Sequence, residues 1–212
     1  MSDLQRILKA SEPLTLASVP AGFLPWLAAD LARAVRGRAV VIASDEAAMR
    51  ALAENAPAFA PELEVLTFPA WDCLPYDRAS PALRVMAERL ATLNRLQEKA
   101  DKPQLLVTTA NAVTQRTLTP FRIRQLTRRL APGERIDRDK LISLLTANGY
   151  HRTDSVSDAG EFAVRGGLLD LYPSGLPHAI RLDFFGDEIE TMRAFDPADQ
   201  RTIGPAEPFT LM

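Results

Sequence analysis

The residues that could do chemistry in this 212-residue chain are few and scattered. Its single cysteine, Cys73, lies in the string WDCLPYD. A nucleophilic thiol needs a cation, a base or a helix N-terminus beside it to lower its pKa. No such signal adjoins Cys73, and a lone cysteine among aromatics reads as packing. The two histidines, His151 and His178, have no ligand spacing with it, so no metal site is expected. A phosphate-cradling loop needs glycines followed by Lys-Ser or Lys-Thr. The four lysines, Lys9, Lys99, Lys102 and Lys140, precede Ala, Ala, Pro and Leu. Ser80 and Ser174 adjoin proline or glycine in turn chemistry, unlike a nucleophile elbow. Asp72 and Asp77 flank the cysteine in a stretch that reads as a solvated loop with local capping. The expectation is therefore no catalysis, no cofactor and no metal.

Two stretches rise above this background. Residues 122–140 hold Arg122, Arg124, Arg128, Arg129, Arg135, Arg138 and Lys140. That density could contact phosphates, giving a direct DNA-binding alternative. Glu134, Asp137 and Asp139 interleave with it, which favours a solvated face. The second stretch is 161–195, where side chains should alternate between faces. In EFAVR, Phe162 and Val164 face inward, and Glu161, Ala163 and Arg165 outward. In RLDFF, Leu182 and Phe184 face inward, and Arg181, Asp183 and Phe185 outward. Arginine and aromatic residues are favoured anchors of protein interfaces. Arg165, Arg181 and Phe185 are thus candidates for one exposed partner-binding patch. The alternative is that Phe185 tucks under the turn at Gly186, with the acidic pair Asp187-Glu188 in solvent.

Composition sets the frame for these candidates. The chain is 47% apolar and 25% charged, the balance of a folded globular protein. A formal net charge of −2 argues against a generic nucleic-acid coat. One cysteine permits no internal disulfide and fits a reducing, cytoplasmic location. The apolar run at 21–29 contains Pro25 and stops at Asp30, too short to span a bilayer. Asp3, Arg6 and Lys9 precede any apolar stretch, unlike a secretory signal. No membrane partner is expected.

Strands alternating with helices fill the first part, which implies a mainly parallel, covered sheet. Helices are expected at 3–10, 21–36 and 46–56, with strands at 13–19, 38–44, 63–69 and 104–110. The 38–44 run is nearly continuous in apolar residues, as in a strand buried on both faces. Asp45-Glu46-Ala47-Ala48 has the form of a helicase acidic box, but acids at a helix start also cap it and complement its dipole. Ser80 and Pro81 fit the N-cap and N1 positions of a further helix. Its Leu83, Met86, Leu90 and Leu93 step along one face.

Glycine use changes near residue 120: two of the ten glycines precede it and eight follow. The string 121–130 reads as a strand. Asp137 should cap a helix at 138–148, closed by Gly149. Short strands at 161–165, 168–172, 179–185 and 188–195 follow, separated by glycine turns. This is the pattern of a small α+β domain with an antiparallel sheet.

The strings EFAVRGGLLDLYPSG and IRLDFFGDEIETMRAFDPADQRT resemble the N-terminal region of the bacterial transcription-repair coupling factors. FPAWDCLPYDRASP and GYHRTDSV resemble the same family, and the likeness is weakest in the first 35 residues or so. The region is also similar to part of UvrB, the excision-repair helicase. The resemblance implies an α/β fold: a degenerate, Rossmann-like parallel-sheet domain lacking a P-loop at 1–118, then an α+β UvrA-binding domain at 119–205. Residues 206–212 would be the stub of a further segment, with apolar side chains lacking their normal partners. The resemblance also implies that the chain is a fragment, and that UvrA is the partner. RNA polymerase and DNA would be met only through family domains absent here. The family's UvrA-contacting residues fall on Arg165, Arg181 and Phe185. The expectation is a non-catalytic recruitment module in transcription-coupled excision repair. The alternatives are a direct DNA binder and a helicase-derived nucleotide-binding fragment.

Overall fold

The computed structural model describes residues 3–35, 37–74, 78, 80–173 and 176–212. Asp77, Ser174 and Gly175 lie outside the described residues. The chain divides into two compact units, Met1–Thr117 and Leu118–Met212.

The first unit is built on a three-stranded parallel sheet. Its strands are β1 (Arg38–Ala43), β2 (Glu64–Phe68) and β3 (Gln104–Thr109), in the order β1-β3-β2. After the short α1 (Asp3–Leu8) and a 3₁₀ turn (Ala21–Phe23), α2 (Leu24–Ala34) and α3 (Glu46–Phe59) pack on one face of the sheet. Ala28, Ala29, Ala32, Met49, Leu52 and Ala56 meet Leu105 and Val107 there. Small residues let the two helices approach closely, so the contact stays dense. The Asp45 carboxylate accepts a hydrogen bond from the Ala48 amide at 2.8 Å, capping α3 as a helix-start acid should.

Four expectations for this unit need correction. Residues 13–19 form no strand: the segment is exposed and irregular, between Pro13 and Pro20, which lack amide donors. β1 is not buried on both faces: Ala39, Val41 and Ala43 pack under the helices, while Val40 and Ile42 on the opposite face are exposed. The helix after the long loop, α4 (Leu83–Arg95), begins beyond Ser80 and Pro81. Its first amide neighbour, Ala82 N, is met by the Asp72 carboxylate at 3.1 Å, ten residues upstream. The fully buried stripe of α4 is Val85, Arg89 and Thr92, with Met86, Leu90 and Leu93 only half-buried. Arg89 takes an inward place because its guanidinium lies 4.1 Å from the centres of both the Phe68 and Trp71 rings. The short α5 (Ala110–Thr114) follows β3.

The second unit opens with α6 (Pro120–Leu126) and β4 (Arg128–Leu130), where the sequence reads as one strand. Thr119 accepts from Arg122 N at 3.3 Å, and Pro120 occupies the first turn, so the helix start overrides the alternation. Helix α7 (Arg138–Ala147) is capped by Asp137, which accepts from the Asp139 and Lys140 amides. A six-stranded sheet then runs in the order β10-β9-β8-β7-β6-β5. Its strands are β5 (His151–Arg152), β6 (Glu161–Arg165), β7 (Leu168–Leu171), β8 (Ala179–Phe185), β9 (Glu188–Phe195) and β10 (Thr202–Pro205). All neighbours are antiparallel except β5 and β6. Leu141 and Leu145 of α7 pack on one face with Phe162, Leu169, Leu182 and Ile189.

The tail also differs from expectation. Residues Phe209–Leu211 form β11, paired antiparallel with β4, and Leu211 is 0% exposed within the main core of this unit. The apolar tail therefore finds partners inside the unit it follows.

Candidate functional site

The candidate residues sit on the second face of the six-stranded sheet. Two-residue turns fix the register of its hairpins. Gly166 (φ 58°) and Gly186 (φ 62°) each adopt the left-handed conformation that glycine enters without strain. Strand pairing then places Ala163, Asp170, Arg181 and Arg193 side by side across β6 to β9. One step along lie Arg165, Leu168, Asp183 and Thr191, and Phe185 lies beyond Asp183. The register shifts between Asp183 and Phe184, leaving Glu190 and Thr191 both exposed on β9. This β-bulge keeps Phe184 and Ile189 facing the core.

Half of this face is closed. Val156, Ala163, Ala179 and Phe195 form a second small core, with Tyr172 packed against it. Ala163 is buried rather than outward in solvent, because Val156 and Phe195 share its cluster. Gln200 holds the connection between β9 and β10 in place. Its amide donates to Val156 O at 3.0 Å and Pro197 O at 2.8 Å.

Arg181 stands at the seam between the closed half and the open half. Its guanidinium lies 4.7 Å from the Phe195 ring centre. Its Nε and Nη2 donate to the two oxygens of Asp170 at 2.7 and 2.8 Å, a forked pair. The Arg181 side chain is only 17% exposed, and that of Asp170 2%. The bond to Asp170 holds the Arg181 pKa above its usual value against the opposing effect of burial. Arg181 is thus not the freely exposed side chain that alternation implies. Arg165 is 47% exposed and reaches the same carboxylate only at 4.0 Å. Asp183 pairs with Arg193 at 3.1 Å. Phe185 is 79% exposed at the hairpin end, so it is not tucked under the Gly186 turn.

Asp170 brings Arg165 and Arg181 together, and sequence reading passed over it. The signal was present: a carboxylate inside the apolar string LLDLY must be paired when buried. Of the basic stretch, Arg128 pairs with Glu134 at 2.8 Å, Arg135 with Glu188 at 3.6 Å and Lys140 with Asp137 at 3.9 Å. Much of its charge is therefore already matched. Among the described residues there is no cluster of metal-ligating side chains, and no helix is long and apolar enough to cross a membrane.

Comparison with known proteins agrees with this architecture. Residues 129–212 match the family described as the UvrB interaction domain. The transcription-repair-coupling factor of Myxococcus xanthus is 40% identical over 178 residues, 80% of this chain and 15% of that protein. The transcription-repair-coupling factor of Escherichia coli (strain K12) is 33% identical over 205 residues, 97% of this chain and 18% of that protein. The chain thus spans less than a fifth of the length of these relatives. It is similar to the transcription-repair-coupling factors over most of its own length, and its residues 129–212 match the UvrB interaction domain family.

Proposed function

We propose that this chain is a non-catalytic recruitment module of the cytoplasm. It binds UvrA and so brings excision repair to a stalled RNA polymerase. In this reading the polymerase and DNA are engaged by other parts of the longer relatives. Arg165, Arg181 and Phe185 form the UvrA-binding face. The observation that carries the reading is Phe185, an aromatic side chain 79% exposed on the same sheet face as Arg165 and Arg181 within a UvrB interaction domain. An exposed rigid ring sharing a face with arginines is the composition of an interface hot spot.

The test is capture of purified UvrA by this chain, against Phe185→Ala. Binding by the unmodified chain and loss in the variant support the reading. Equal capture by both would sink the assignment of this face. Calorimetry with millimolar magnesium–ATP separates the enzyme alternative, because a saturable one-site isotherm would favour a nucleotide-binding fragment. A salt-dependent shift of duplex DNA would favour the basic stretch instead.

A further inference from the structure

We infer that Asp170 is a positioning residue of this face and divides the labour of its two arginines. The inference rests on the reading of the face as the UvrA-binding surface. Asp170 occupies both fork donors, Nε and Nη2, of Arg181. The Phe195 ring closes one flank of the same guanidinium. Arg181 is thereby held in one orientation, and among the described residues no further hydrogen bond engages Nη1 or the second hydrogen of Nη2. The free end of the guanidinium is aimed in a fixed direction at an acceptor of the partner. Arg165 is in the opposite situation. It lies 4.0 Å from Asp170, beyond hydrogen-bond distance, and is half exposed. Among the described residues no hydrogen bond engages its fork, which is open to a carboxylate of the partner.

On this face Asp170 matches Arg181 and Asp183 matches Arg193, while Glu161 accepts from the Ser157 and Asp158 amides and Glu188 meets Arg135. Arg165 is held least closely, its contact with Asp170 being 4.0 Å. The partner that fits is a surface with an acidic side chain to meet Arg165, an acceptor to meet Arg181, and an apolar recess for Phe185. Asp170 touches none of these. It acts by fixing Arg181 before the partner arrives, which lowers the ordering cost of binding.

The test measures UvrA affinity in a double-mutant cycle of Asp170→Asn and Arg181→Ala. Asp170→Asn keeps the volume and removes the charge. It should weaken binding about tenfold while circular dichroism remains native. In the Arg181→Ala background it should cost nothing further. Additive losses would overturn the positioning role. Arg165→Ala should flatten the salt dependence of association, whereas Asp170→Asn should leave the slope unchanged. A second measurement needs no variant. In the free chain the Arg181 Nε–H should exchange slowly and give a sharp, shifted NMR signal. Rapid exchange and free rotation of that guanidinium would refute the inference even if Asp170→Asn failed to fold. If the unmodified chain does not bind UvrA, the functional reading falls, while the NMR result still decides whether Asp170 fixes Arg181.

Discussion

The guanidinium of Arg89 lies 4.1 Å from the centre of the Trp71 ring and equally close to the centre of the Phe68 ring. Its Nη1 donates to Pro69 O and, at 3.1 Å, to Gln115 Oε1. Its Nε and Nη2 are buried without a hydrogen-bond partner among the described residues, and burial lowers its pKa from the usual arginine value. The side chain therefore holds the start of the long loop against α4 through stacking more than through charge. Arg89→Met keeps most of the volume and removes the unpaired donors. It should cost no more than about 1–2 kcal/mol in urea unfolding, whereas Arg89→Ala should cost about 3 kcal/mol or more. Equal losses for the two would show that the hydrogen bonds, not the packing, dominate.

Phe185 should be neutral for folding and costly for partner binding. An exposed side chain gives up little on truncation, so Phe185→Ala should change stability by no more than about 0.5 kcal/mol. Affinity for UvrA should fall by about 2 kcal/mol, roughly thirtyfold. The control is Arg84→Ala on α4, an exposed position of the other unit, which should bind normally. Thermal melts and titrations of the same three proteins check both halves.

How far the sequence could lead is set by how local each signal is. The strands from 161 to 195 were legible because alternation and glycine turns are short-range features. The edge position of β1 was not, since sheet order depends on which distant strand lies between β1 and β2. The string FRIRQLTRRL alternates like a strand, yet Thr119 and Pro120 just ahead of it start a helix. On α4 the apolar periodicity pointed to the wrong stripe, because the most buried side chain is an arginine whose aromatic partners lie outside the helix. Alternation correctly sent Arg165, Arg181 and Phe185 to one face. It said nothing about the second core over Ala163 and Phe195, to which Val156 contributes from outside the strands.

Acid should destabilise the chain through carboxylates held by donors. Burial pushes the Glu88 carboxyl up, but hydrogen bonds from Arg50 and Thr67 outweigh it and hold it below the ordinary 4.5. Amides of Ser157 and Asp158 hold Glu161 below the same value. In both cases the unfolded chain binds protons more readily than the folded one. The stabilisation is thus complete above the ordinary value and is lost as pH falls through the lowered folded values. Melting temperature should be flat near neutrality and drop below about pH 4.5. Glu88→Gln should start lower and show a shallower drop. An unchanged acid slope in that variant would remove Glu88 from the account.

The C-terminal strand should be part of the fold of the second unit. Leu211 sits with Leu130, Leu141 and Leu145 in one core cluster. Leu211→Ala should cost about 2–5 kcal/mol, the range for a buried leucine. Of the adjacent Phe209 and Thr210 amides, the one aimed at β4 should exchange slowly with solvent if β11 stays paired. Rapid exchange there, with full stability of the variant, would restore the expectation of an unpartnered tail.

Arg181→Glu should damage folding as well as binding. Alternation alone makes the change look harmless, since the side chain points away from the main core. The structure places Arg181 against Asp170, whose side chain is 2% exposed, and the substitution would set two carboxylates face to face there. Arg165, at 4.0 Å, is too far to replace the lost fork. Removing one partner of a buried ion pair costs about 3–5 kcal/mol, and reversing its charge costs more. The Phe195 ring would also lose its stacked guanidinium, opening the second core. Arg181→Glu should therefore melt well below the unmodified chain at neutral pH. Lowering the pH should recover part of the difference, because protonating one of the two carboxyls relieves their repulsion. Arg181→Met, which keeps the stem over Phe195, should lose less stability than Arg181→Glu. A full-stability Arg181→Glu protein would show that Asp170 reaches solvent or another cation, and would remove the clasp from the account of this face.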